Sequence, residues 1–256
     1  MGGLPTAIHF ITRDKKEIIM LSVYGSTGFI GKTYCNIFSE EIVPIPREQK
    51  VPETNNILYL ISTWFVYGKT NDLPAHENSD CNPKGFYSIT KRTAEQLLIS
   101  YCETYNMNYR IMRLCNVYGD TDKKASKKRN ALQHLTGEVV NNRDINLYDA
   151  GENIRDFMHV EDVCRAINLV IKKNSLNTVI NIGNGIPNKF IDLMNYVKEK
   201  TNSKSEFNSV DPPDFHKIVQ VKDMYLDVTK LKNLGFISKY NIMDGIDMII
   251  DHVKKE

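Results

Sequence analysis

Ile18-Ile-Met-Leu-Ser-Val-Tyr24, followed at once by Gly25-Ser26-Thr27-Gly28-Phe29-Ile30-Gly31, is the stretch that decides the fold. The apolar, β-branched run predicts a buried strand, and Lys32 to Ser39 continue as a helix. Three glycines at this spacing between a strand and a helix suit a dinucleotide. The first allows a tight turn, the second lets a pyrophosphate approach the backbone, and the third lets helix and strand pack closely. Backbone N–H groups at the helix start would face the anion. A plain strand-to-helix turn uses the same glycines; the flanking strand and helix favour the cofactor reading, with residues 25–31 as the cofactor-binding segment.

Working outward, further strand-like runs occur at Glu41 to Ile45, Ile57 to Ile61, Tyr109 to Leu114 and Thr178 to Ile182. Helical patterns lie between and after them, at Tyr87 to Tyr105, Val163 to Lys172 and Met243 to Lys254. In the first of these, Ala94, Leu97, Leu98 and Tyr101 recur at helical spacing. Strands alternating with helices predict an α/β fold with a mainly parallel sheet. Residues 1–16 precede the first strand of this pattern as an extension. They are equally compatible with a strand and turn over Ala7 to Lys16 or with a disordered tail.

With 256 residues, 41% of them apolar and 25% charged, the chain has the balance of a globular protein with a core. A formal charge of +2 argues against nucleic-acid and membrane-surface partners, which need a concentrated basic face. Cys35, Cys81, Cys102, Cys115 and Cys164 are scattered and odd in number. That argues for reduced thiols rather than a disulfide framework or a zinc site. No apolar run reaches the length of a membrane span, and no cationic segment leads into an apolar one at the start. The expectation is a cytoplasmic protein without a metal.

Tyr87-Ser-Ile-Thr-Lys91 sets a phenol and an ammonium one helical turn apart, on one face. A nearby ammonium favours the phenolate and would lower the tyrosine pKa toward a range useful for acid–base work. Spacing alone is weak, since Tyr196 and Lys200 share it and read as a solvated helix face. Context separates the pairs: Tyr87 follows the run Ser62-Thr63-Trp64-Phe65-Val66-Tyr67-Gly68 at the end of a predicted strand. Thr63 would hydrogen-bond a sugar oxygen, Tyr87 would move its proton, and Lys91 would hold a cofactor ribose. Thr63, Tyr87 and Lys91 are the candidate catalytic residues, Tyr87 and Lys91 also contacting the cofactor.

Ser62-Thr63-x-x-Val66-Tyr67-Gly68, Tyr87-x-x-x-Lys91, Arg113-Leu-Cys-Asn116-Val-Tyr-Gly119 and Arg155-Asp-Phe-Met-His-Val-Glu-Asp162 occur in that order. With the glycine motif they resemble the NAD-dependent epimerase/dehydratase branch of the extended short-chain dehydrogenase/reductase group. The similarity runs from about residue 18 to the end, taking in Asn181-Ile-Gly-Asn-Gly185 and Asp227 to Phe236. The resemblance implies an α/β, Rossmann-like doubly wound parallel sheet, shortened here, with a smaller C-terminal substrate lobe. The lobes would be 17–115, with 156–185 returning to it, for NAD(P), and 116–155 with 186–256 for substrate.

The resemblance also implies a nucleotide-sugar substrate contacted by Asn116 and Arg155. Arg155 would grip its diphosphate, which suits the guanidinium fork; the plain alternative is a salt bridge to Asp156 or Glu152. His159 and Asp162 read as residues that hold the lobes together. Lys123 to Arg129 reads as a solvated loop, with phosphate attraction as the alternative. A homodimer fits the resemblance. NAD is the cofactor the resemblance favours, with NADP open: Arg47 would suit a 2′-phosphate and the adjacent Glu48 a ribose 2′-hydroxyl.

Two departures shape the expected activity. Trp64 and Phe65 stand where dehydratases and decarboxylases of this family carry an acidic residue, and neither can transfer a proton. A sugar 4-epimerase or 4-ketoreductase therefore ranks above a dehydratase or decarboxylase. The interval from Gly31 to Thr63 is also shorter than the family's, as though a β-α unit were missing together with a helix used in dimerisation. An NAD(P)-binding protein without catalysis, or an impaired relative, is the rival reading.

Overall fold

The computed structural model describes residues 9–12, 21–24, 29–39, 42–45, 57–120, 122, 130–173 and 176–255. The glycine turn from Gly25 to Gly28, Arg47 with Glu48, and the basic run Lys123 to Arg129 lie outside the described residues. The large sheet begins with β1 (His9–Thr12), β2 (Leu21–Tyr24), β3 (Ile42–Ile45), β4 (Ile57–Thr63) and β5 (Asn108–Leu114). After the short strands β6 (Asn116–Tyr118), β7 (Ile145–Tyr148), β8 (Ile154–Arg155) and β9 (Phe157–His159), β10 (Thr178–Ile182) completes it. Its order is β3-β2-β1-β4-β5-β10. Every pairing is parallel except those of β1, which runs antiparallel to both neighbours. The sheet thus stays continuous across the place where a doubly wound fold usually sets a parallel strand beside the glycine-turn strand.

The helices are α1 (Phe29–Ile37), α2 (Phe86–Thr104), α3 (Ala131–Val140), α4 (Val160–Lys172), α5 (Phe190–Thr201), α6 (Asp214–Val219), α7 (Thr229–Asn233) and α8 (Ile242–Val253). Strands β4 and β5 are apolar on both faces because both are covered. Side chains alternate across a strand, so Tyr59, Ile61, Met112 and Leu114 join the core under α4 with Val163, Ile167 and Val170. Leu60, Ile111 and Arg113 turn the other way, toward α2, which packs on β4 and β5. Helix α4 presents Val163, Ile167, Val170 and Ile171 as one buried stripe, with Glu161 and Asp162 in its first turn and Lys172 in its last, as its dipole prefers.

A second core lies between α3, α5 and α8, where Leu132, Leu135, Val139, Leu193, Val197, Ile246 and Ile250 meet. Two further short strands, β11 (Asn188–Lys189) and β12 (Phe207–Val210), pair with β8 and β7. This smaller lobe is C-terminal in most of its chain. Residues Val221 to Leu231 leave it to pack on the first core through Val221, Met224, Leu226 and Leu231. Asp162 anchors the segment after α7 by accepting from Ser238 Oγ at 2.7 Å and from the Lys239 and Tyr240 amides at 2.8 and 2.9 Å. His159 caps α4 through Nδ1 and is closed in by the rings of Tyr118 and Tyr240. Among the described residues, no helix is long and apolar enough to cross a membrane.

Candidate functional site

Parallel strands place their carboxyl ends on one edge, and ligands of such sheets bind beyond that edge. Register makes this edge concrete: Thr63 is level with Leu114, and Leu114 with Ile182. Beyond them lie Trp64, Asn116 and Gly183. Thr63 caps a single 3-10 turn over Trp64 to Val66, its Oγ1 accepting from the Phe65 amide at 3.4 Å. This turn swings the chain off the sheet toward the first turn of α2. There Tyr87 sets its ring edge-on to Phe65 at 6.1 Å between centroids, near enough to Thr63 for that hydroxyl to favour the phenolate.

Lys91, one turn further along α2, is only 7% exposed and donates from Nζ to the Ile61 carbonyl at 3.0 Å. Burial pulls its ammonium below 10.5, and the Glu95 carboxylate one more turn on opposes that shift. Tyr87 is 43% exposed, yet burial at its hydroxyl end raises the phenol above 10, against the hydrogen bond from Thr63. The direction is the reverse of that expected from an adjacent ammonium. Burial sets that direction, and the Lys91 ammonium is directed at the backbone of β4.

Beneath this trio lies a buried polar network with no counterpart in the motif reading. Glu95 is fully buried and held bidentately by Arg113, with Nε–Oε1 at 3.0 Å and Nη2–Oε2 at 2.8 Å, while Arg92 adds a third contact at 2.8 Å. Arg113 also donates to the Glu77 carbonyl and stacks over Tyr67, whose hydroxyl donates to Asn181 Oδ1 at 2.6 Å. Asn181 Nδ2 reaches the Ala75 and Asp227 carbonyls. The network therefore joins α2, β5, β10 and the loop after β4. One signal for it was legible, since Glu95 lies four residues after Lys91 on the same helical face.

The two predicted substrate residues are at the same edge. Asn116 donates from Nδ2 to the Asp156 carbonyl at 3.0 Å. Arg155 touches neither Asp156 nor Glu152. Its guanidinium donates to the Ile154, Val221 and Lys222 carbonyls and lies over Trp64 at 5.5 Å. Glu152 pairs with Lys189 instead. Asp156 accepts from the Asn184 and Gly185 amides, and burial pushes its carboxyl up to about 7 against those bonds. The salt-bridge alternative for Arg155 fails because both carboxylates are already engaged.

Two glycines shape the edge. A Cβ on Gly119 would meet Phe29 at 3.2 Å and Val160 at 2.9 Å, so its absence lets the start of α1 come up against this glycine. A Cβ on Gly183 would lie 2.5 Å from Asp156 Oδ2 and 3.2 Å from Cys115. Gly183→Ala is expected to lower stability by about 1–3 kcal/mol through overpacking, read as an earlier thermal melt.

Beside Arg155, and sharing Val221 and Lys222 with it, opens a cavity of about 600 Å³ whose wall includes Lys69, Lys217, Lys222, Asp149 and Gln220. Gln220 Oε1 is buried there without a partner. The predicted pair of Tyr196 and Lys200 is a contact between helices: both bind Asp247 of α8, each at 2.8 Å. Among the described residues no group of His, Cys, Asp and Glu could hold a metal ion.

The model of the NAD dependent epimerase/dehydratase family matches residues 49–183, more than half of the chain. A putative UDP-glucose 4-epimerase of Methanocaldococcus jannaschii is 26% identical over 202 residues, 79% of this chain and 64% of that protein. The dTDP-D-glucose 4,6-dehydratase of Homo sapiens is 29% identical over 229 residues, 86% of this chain and 61% of that protein. Among solved structures, the UDP-glucose 4-epimerase of Thermotoga maritima with UDP-glucose superposes with a TM-score of 0.70 at 27% identity, covering 77% of this chain and 63% of that one. The chain thus spans less than two thirds of the length of these proteins.

Proposed function

Because the chain belongs to the NAD dependent epimerase/dehydratase family, we propose that it is an NAD(P)-dependent enzyme acting on a nucleotide sugar, by 4-epimerisation or 4-keto reduction. The observation that carries this reading is the meeting of Thr63, Tyr87 and Lys91 at the carboxyl end of β4.

The residues at this edge fit a dinucleotide. An ammonium has three donors, and the one hydrogen bond from Lys91 goes to Ile61, leaving donors suited to ribose hydroxyls. The start of α1, brought up against Gly119, suits a pyrophosphate. Gly25 to Gly31 would hold that group, Lys91 and Tyr87 the nicotinamide half, and Arg47 a 2′-phosphate if NADP is used. NAD is our assignment, in keeping with the family's name. When bound, the nicotinamide supplies the hydride acceptor and donor of the reaction.

The side chains divide the remaining work. Thr63 hydrogen-bonds the sugar oxygen at C4, and Tyr87 takes or returns the proton of that oxygen. Lys91 holds the ribose and keeps a positive charge near the edge. Asn116 orients the sugar nucleotide, and the cavity beside Arg155 receives its nucleotide part, with Lys69, Lys217 and Lys222 as cations for the diphosphate. Trp64 and Phe65, stacked at 3.7 Å, occupy the turn with apolar surface and supply no acid for loss of water, which supports epimerase or ketoreductase over dehydratase. A second copy of the chain is our proposed partner for the exposed face of α2, where Phe86 is 81% open and Leu97, Tyr101 and Tyr105 follow.

One observation favours the rival of cofactor binding without turnover: the Arg155 guanidinium donates to three backbone carbonyls, so a diphosphate would have to displace them. Titration of the purified protein with NAD(H) and NADP(H) is the first test. NAD is expected to bind, and Lys91→Met to weaken it about 10- to 100-fold, the loss of a charged hydrogen bond worth about 1.5–3 kcal/mol. UDP- and dTDP-sugars are then screened for epimerisation and reduction. A folded protein that binds neither cofactor would overturn the proposal, and one that binds NAD but turns over no sugar would establish the rival.

A further inference from the structure

We propose that β1 is the strand that fastens the glycine-turn unit to the catalytic strand, making residues 9–12 positioning residues of the cofactor side of the site. The sheet shows why one is needed. Strand β2, which leads into the glycine turn, pairs with β3 on one side and β1 on the other. Strand β4, which ends at Thr63, pairs with β5 and with β1. Among the described residues no pairing joins β2 to β4, and β1 carries the sheet across that junction. Further ties of this unit run through α1, among them Tyr34 to Asn168 at 3.1 Å, the Cys164 thiol to the Ile30 carbonyl, and Phe29 beside Gly119.

The double register of β1 also sets height. Phe10 is level with both Val23 and Tyr59, and Ile11 with both Ser22 and Leu58. Extending that register sets Tyr24, the last residue before the glycine turn, level with Leu60. That is one residue short of Ile61, whose carbonyl holds Lys91. Two strand spacings, about 10 Å, then separate Tyr24 from the strand that carries Thr63. A one-residue slip of β1 on either neighbour would move β2 by about 3.4 Å relative to β4 and reverse the facing of every side chain in the slipped strand. The relative height of β2 and β4 therefore depends on four residues near the start of the sequence. Being paired on both sides, β1 has no position where proline keeps every ladder bond.

The test combines hydrogen exchange with cofactor titration, and only the titration rests on the proposed NAD site. In the unaltered protein, amides of 9–12, 21–24 and 42–45 are expected to open together as one unit, separately from β5 and β10. In Ile11→Pro, protection of 21–45 should fall to near that of free peptide while β5 and β10 stay protected. NAD affinity should weaken at least about tenfold with UDP binding unchanged, and Ile11→Val should restore both. Protection of 21–24 that survives Ile11→Pro, or β1 amides that exchange freely while β2 is protected, would overturn the proposal. If Ile11→Pro unfolds the whole chain, the common opening in the unaltered protein decides alone. If the unaltered protein binds no NAD, the proposed function fails while the exchange data still judge β1.

Discussion

Replacing Tyr87 with phenylalanine is expected to lower turnover of a nucleotide sugar by about 10²- to 10⁴-fold, the range of general acid–base catalysis, and to weaken NAD binding far less than that. The aromatic ring keeps its edge-on contact with Phe65, so the lost atom is the hydroxyl that meets Thr63. The pH dependence separates this role from a packing role. Burial raises the phenol above 10, so near neutrality the protonated form dominates. A protonated phenol can donate to a 4-keto oxygen, whereas only the phenolate can accept a proton from a 4-hydroxyl. Ketone reduction should therefore be flat in pH from 6 to 9 as far as Tyr87 is concerned, and alcohol oxidation should rise across the same range. Initial rates in both directions check this, and a Tyr87→Phe variant with unchanged turnover would remove the tyrosine from the mechanism.

Arg113→Met is expected to destabilise the protein by about 3–5 kcal/mol, because it leaves Glu95 charged and fully buried with Arg92 alone. At about 2–4 °C per kcal/mol for a chain of this size, the melt should shift down by roughly 6–20 °C. Met fits the volume, so the loss reports the charge rather than a cavity. Combining it with Glu95→Leu should recover much of the stability, since an apolar pair of similar volume replaces a buried ion pair at little cost. A double variant as unstable as the single one would show that packing over Tyr67, not charge, is what Arg113 contributes.

The pH response of the unaltered protein follows from the same pair. Burial alone would raise the Glu95 carboxyl, but the hydrogen bonds and charge of Arg113 outweigh it and hold the carboxyl below 4.5. A group whose folded pKa is depressed adds stability that is fully present above its unfolded value and is lost as pH falls through the folded one. The contribution of Glu95 should accordingly be complete above about pH 5 and disappear in acid, and Glu95→Gln should abolish that part of the pH dependence.

The sequence by itself determined the elements of the core. Hydrophobic periodicity located β4, β5, β10, α2 and α8 to within a few residues, because each buries a face whose spacing is local: two residues for a strand, 3.6 for a helix. It also picked out Thr63, Tyr87 and Lys91, since a strand end and one helical turn are short-range geometry. Tertiary structure alone decided the rest. Whether residues 9–12 form a strand or a tail depended on an open slot between β2 and β4, and four residues carry no record of their distant neighbours. The direction of the Tyr87 pKa depended on how its hydroxyl end is buried, and Lys91 was claimed by the Ile61 carbonyl across 30 residues of chain. Arg155 took backbone carbonyls from residues 221 and 222 rather than a carboxylate next to it in sequence. Periodicity records which face a residue turns inward; the partner it meets there is chosen by packing between segments far apart in the chain.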